Sequence, residues 1–230
     1  MDNGIIVTEE KDKQYQRIVS TLEVAQEKLK EVKYRGTYPT LYDFLNWSLK
    51  NSEHIMRDIA VLHSIDNKII LSRKLFEIYL SIKVTKDNAR LGLDRDKLVP
   101  KFILSKNKKI DIKRLCTDVN VEKDFYTFYS IFAHPYTYSR PKSNEEGLDV
   151  NTSQMLYYIN DYEYQVNELN QYLLIYIVAD MIDDINYIIR RVLSNSPDSK
   201  LDCYTLNKEM MYNNAISILN KLNKRLKKKS

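Results

Sequence analysis

Four glycines and five prolines in 230 residues constrain this chain more than any other feature. Tight turns between strands need residues that adopt positive φ or hold φ near about −65°, so a many-stranded sandwich or barrel of this length would lack punctuation at its corners. Long helices joined by few connections need little of either residue. Apolar positions recur with a period of about 3.6 residues through most of the chain. With 43% apolar and 11% aromatic residues there is material for a substantial core. The expected fold is all-α: a single bundle-like domain over 1–230, with six or seven helices and one long central helix.

The periodicity predicts an amphipathic helix over 8–34, inside an N-terminal segment of 1–36, with Ile18, Leu22, Ala25 and Leu29 on one stripe. After the Tyr38-Pro39 break, Thr40 is placed to cap a second helix carrying Leu41, Leu45, Ile55, Ile59 and Leu62, with a kink expected at the polar residues 50–52. A third helix is expected from Asn67 to Thr85, followed by a polar connection holding Gly92 and Pro100. The next covers 110–133 and stops ahead of Pro135, because proline disfavours the helical conformation for the residue before it. A very long helix then runs over 151–193 and completes a core bundle of 37–193; a last helix over 204–230 ends in a basic tail.

The formal charge of +5 belongs to that tail. Residues 221–230 hold Lys221, Lys224, Arg225, Lys227, Lys228 and Lys229 and no acid, and removing those six from 36 basic residues leaves 30 against 31 acidic ones. The body is neutral, without the basic surplus of a DNA-binding fold, and no DNA partner is expected. The most apolar stretch is interrupted by Asp180, Asp183 and Asp184 and no leader follows Met1, so a cytoplasmic protein without a membrane span is expected. Cys116 and Cys203 have neither zinc nor disulfide spacing. No nucleophile elbow, phosphate loop or dinucleotide fingerprint occurs, and no cofactor is expected.

Within the long helix the three aspartates lie among apolar positions on several faces. A buried carboxylate must be paired, protonated or metal-bound. Ion pairing with a neighbouring helix is the expectation for Asp180, Asp183 and Asp184, with a divalent metal as the lesser alternative.

Two further stretches carry candidate chemistry. In "SRKLFEIYLSI" Arg73 and Glu77 stand one helical turn apart, close enough to pair. In "FYSIFAHP" Tyr126, Ser130 and His134 recur every four residues and so share a stripe, with the imidazole at the negative end of the helix dipole. Together these form a candidate site able to bind an anion or orient a base. The pair of motifs, over about 45–190, resembles the bacterial all-helical family of domain of unknown function 5677, in which a Ser-Arg-x-x-x-Glu helix precedes a Tyr-x-x-x-Ser-x-x-x-His-Pro segment. The residues matched are Arg73, Glu77, Tyr126, Ser130, His134 and Pro135. The resemblance implies a helical fold and a candidate site; it brings no reaction, since the family's activity is not established.

A rival set is "RDIAVLH", where Arg57, Asp58 and His63 have the Arg-polar-x4-His form of the HEPN ribonucleases. That resemblance implies a dimer with paired sites and metal-independent RNA cleavage, His63 in acid/base chemistry and Arg57 steadying phosphate charge. His54 lies in a polar stretch and is expected to be exposed. The favoured expectation is a binding or regulatory module of bacterial or phage origin, a homodimer with an RNA or protein partner, using Arg73, Glu77, Ser130 and His134. The alternatives are a HEPN-like ribonuclease or toxin using Arg57 and His63, and a structural interaction protein with no site.

Overall fold

The computed structural model describes residues 3–31, 39–94, 97–100, 111–133, 150–193 and 207–229. These form an all-α bundle of seven helices, with no strand among the described residues: α1 (Asn3–Glu31), α2 (Pro39–Val61), α3 (Ile65–Arg90), α4 (Ile112–Asp118), α5 (Lys123–Ala133), α6 (Val150–Ile188) and α7 (Lys208–Lys229). A π-helical turn over Ile189–Leu193 extends α6. No helix is long and apolar enough to cross a membrane.

Local chemistry explains where these elements start and stop. Helix α2 begins at Pro39, whose fixed φ suits a first turn, so Thr40 lies inside the helix and does not cap it. The kink expected at 50–52 is absent. The Asn51 amide shares the Trp47 carbonyl at 2.8 Å without breaking the helix, and buried Ser52 sits 3.8 Å from the Met181 sulfur of α6, directed at a neighbouring helix and not at its own backbone. Helix α3 continues five residues beyond Thr85, to Arg90. Its last turn is held from outside: the Asn88 amide donates to the Leu98 carbonyl at 2.9 Å. Gly92 at φ 68° then closes α3, with the Leu93 N–H on the Asn88 carbonyl and the Gly92 N–H on the Ala89 carbonyl.

The single helix expected over 110–133 is two. Asp111 caps α4 by accepting from the Arg114 N–H at 3.0 Å, and Asn120, in the left-handed region at φ 55°, ends it with the same double-bonded closure that Gly92 makes. The long helix also differs from expectation: at Tyr162 the backbone leaves helical geometry (φ −141°, ψ 27°), so α6 consists of two stretches across a kink. Asn207 starts α7 by accepting from the Met210 N–H at 3.1 Å.

Helix α6 packs against α3, α5, α7 and, more lightly, α1. Its two sets of apolar positions are both buried, including Leu173, Leu174, Ile177, Val178 and Met181, as expected of an enclosed helix. Antiparallel pairing with α7 is marked by Tyr162 beside Arg225, Tyr176 beside Tyr212 and Asp180 beside Lys208. Buried residues from all seven helices join one core.

Candidate functional site

Helix α3 contributes to the Arg73–Glu77 pair, to the groove beside it and to the aspartate network. Arg73 and Glu77 pair as their spacing requires, the guanidinium Nε donating to the Glu77 carboxylate at 3.0 Å. Arg73 is 12% exposed at the side chain and Glu77 43%. Helix α5 packs on α3, and the Arg73 guanidinium lies over the Tyr126 ring, 5.5 Å from its centroid. Ser130 follows one turn along α5. Its hydroxyl and the Arg73 Nη1 are both buried, and neither has a hydrogen-bond partner among the described residues. The fold therefore brings together Arg73, Glu77 and Tyr126; no hydrogen bond ties Ser130 to them. His134 and Pro135 lie outside the described residues.

On the other side of Glu77, helices α2, α3 and α4 leave a groove of about 410 Å³. Helix α2 supplies Trp47, Asn51 and Ile55, four residues apart and hence one stripe. Helix α3 supplies Lys74, Ile78 and Ser81 beside Glu77, and α4 closes the end with Ile112 and Leu115. Trp47, the only tryptophan, is 47% exposed and stacks on Phe44. Ile55, Ile112 and Leu115 are half-buried and form an apolar floor that no described helix covers. Of the site residues expected from sequence only Glu77 borders this groove. The stripe Trp47, Asn51, Ile55 was readable as a helical face, but nothing local says that a face will be left uncovered.

Arg57 and His63 do not form a comparable arrangement. Arg57 is engaged by two carboxylates, Glu53 on its own helix and Glu23 of α1, so its charge is already matched. His63 lies beyond the end of α2 in the three-residue link to α3, exposed and without a hydrogen bond or ion pair among the described residues. Asp58 and His54 are exposed as well.

The three aspartates of α6 meet lysines from two neighbouring helices. Lys83 of α3 bridges Asp180 at 2.5 Å and Asp184 at 2.9 Å, Lys86 reaches Asp184 at 2.5 Å, and Lys208 of α7 joins Asp180 at 2.9 Å to Asp183. The Tyr79 hydroxyl donates to Asp180 at 2.6 Å. Asp180 and Asp184 are buried, but Asp183 is 59% exposed, so only two of the three aspartates needed enclosed partners. Among the described residues no group of three or more His, Cys, Asp or Glu is placed to hold a metal ion.

Protonation in this network follows from its packing. Burial pushes the Asp180 carboxyl up, yet the Lys83 charge and the bonds from Lys83, Tyr79 and Lys208 hold it below its ordinary 3.8. For Asp184 burial prevails over Lys83 and Lys86, with Asp180 adding to it, and the carboxyl is raised. Burial lowers Lys83, but Asp184 and Asp180 outweigh it and keep the ammonium above 10.5. Burial, then Asp180, raises the Tyr79 phenol well above 10.0.

Lys83 and Tyr79 thus hold protons in the folded state that the unfolded chain releases, so their contribution is complete below pH 10 and is lost as pH rises above it. The acid limb is shallower, because the lowered Asp180 loses stability on acidification while the raised Asp184 regains it. The melting temperature should hold from neutral pH to about 10 and then fall, less steeply in Tyr79→Phe. Thermal scans across pH test this, and an identical alkaline fall in the variant would exclude Tyr79 from the effect.

The basic tail is helical through Lys229, with Lys221, Lys224 and Arg225 exposed and the Arg225 guanidinium 5.0 Å from the Tyr162 ring centroid. Cys116 is buried in α4, and burial pushes its thiol up to about 11; Cys203 lies outside the described residues. No family model matches the chain, nor does a curated protein or a solved structure.

Proposed function

We propose that this chain is a binding or regulatory module that takes a small, largely apolar molecule in the α2–α3–α4 groove, with Arg73 holding Glu77 at the edge. The observation that carries this reading is the groove itself: about 410 Å³, apolar walls and a few polar groups. Ligand clefts of roughly 300–1,000 Å³ share that make-up. Glu77 connects the groove to α5 through Arg73 and Tyr126, which gives an occupied groove a contact with the Ser130 stripe.

The neutral dye N-phenyl-1-naphthylamine tests the reading, because Trp47 stands in the wall and is the only tryptophan. Saturable energy transfer from Trp47 to the dye is expected in the wild type. Leu115→Asp, which puts a carboxylate on the apolar floor, should weaken dye binding by roughly tenfold or more while the protein stays folded. Absence of saturable binding to the wild type would refute the groove as a site.

A further inference from the structure

Resting on that reading, we infer that the groove selects a monoanionic amphipath, a carboxylate with an aliphatic or aromatic body, whose charged end is taken by Lys74. Among the described residues three ionic groups stand at or beside the groove: Lys74 and Glu77 in its wall, and Arg73 behind Glu77. The Glu77 carboxylate accepts from Arg73 at 3.0 Å, so these two charges offset each other. Lys74 is exposed and makes no hydrogen bond or ion pair among the described residues. The set therefore carries one unit of positive charge, and its bearer is the group with no partner.

Of the uncharged polar groups, Ser81 is committed on its donor side, and Asn51 uses one of its two amide N–H groups on its own helix. Asn51 donates its amide to the Trp47 carbonyl, and Ser81 donates its hydroxyl to the Glu77 carbonyl at 2.9 Å. Lys74 is the charged donor that the described lining residues leave for a ligand's charged end. One ammonium, a compact point charge, matches a monoanion; a phosphate dianion calls for several cations or a bidentate guanidinium, and the guanidinium here lies behind Glu77 with its charge offset by that carboxylate. The remaining wall is apolar, from Trp47 across Ile55 to Leu115, and buries a hydrocarbon body but satisfies no polar one.

Displacement of N-phenyl-1-naphthylamine by three ligands of equal chain length separates this inference from the reading beneath it. Decanoate is expected to displace the dye at a concentration roughly fivefold below decanol, the gain of one partly exposed ion pair, and decyltrimethylammonium should be the weakest of the three. Lys74→Met should abolish the advantage of decanoate over decanol, and Lys74→Glu should reverse the order of the charged ligands. Equal midpoints for the three ligands, or an unchanged decanoate preference in Lys74→Met, would overturn the assignment while leaving the groove a site. Failure of the dye itself to bind would remove both.

Discussion

Lys83→Met is expected to destabilise the protein by about 3–5 kcal/mol, because it leaves buried carboxylates without their shared counter-charge. Asp184 is 1% exposed and Asp180 9% at the side chain, and Lys83 touches both. Methionine keeps much of the aliphatic stem, so the loss reports the ammonium and not a cavity. Lys86 and Lys208 remain, but each reaches only one of the two buried carboxylates, and Lys208 divides its charge with exposed Asp183. For a chain of this size the melting temperature should fall on the order of 10 °C. Urea unfolding gives the free energy directly. A loss under about 1 kcal/mol would mean that water reaches both carboxylates once Lys83 is gone, and that the network contributes no more than a surface bridge.

Phe76→Ala should cost a similar amount, about 3–5 kcal/mol, for an unrelated reason. Phe76 is fully buried where α3 meets α5, its ring centroid 5.5 Å from that of Tyr129 and 6.0 Å from that of Tyr79. Truncation removes the ring's transfer energy and leaves a void that Tyr129 and Phe128, themselves interlocked at 5.4 Å, cannot close by rotation. Phe76→Leu refills most of that volume and should recover more than half of the loss. Chemical denaturation of both variants checks this, and equal losses would show that ring contacts, not volume, hold α3 to α5. Arg73 sits one turn before Phe76 on the same helix and stacks on Tyr126, so the alanine variant should also loosen the pair that holds Glu77 at the groove.

Much of the architecture was legible because it depends on local periodicity. Ile18, Leu22, Ala25 and Leu29 are all buried along α1, and the two apolar sets of α6 are buried as an enclosed helix requires. Pairing of Arg73 with Glu77 followed from helical spacing, and ion pairing of the buried aspartates with a neighbouring helix from the cost of burying a lone carboxylate. Boundaries were harder to read. Asn120 looked like an ordinary residue within a helix, since only its backbone angle, φ 55°, reveals a stop, and Tyr162 carried no proline or glycine to announce the break in α6. The polar run after Thr85 read as a loop, yet Lys86 and Asn88 find partners about ten to a hundred residues away that keep it helical.

The sequence by itself determined the helical class, the enclosed character of α6 and the Arg73–Glu77 pair, because each rests on residue spacing along one helix. The groove belongs wholly to the tertiary structure. Trp47, Lys74 and Leu115 come from three helices, and each is unremarkable in its own segment. Whether a half-apolar face becomes core or cleft depends on which neighbour covers it, and among the described residues no helix covers this one.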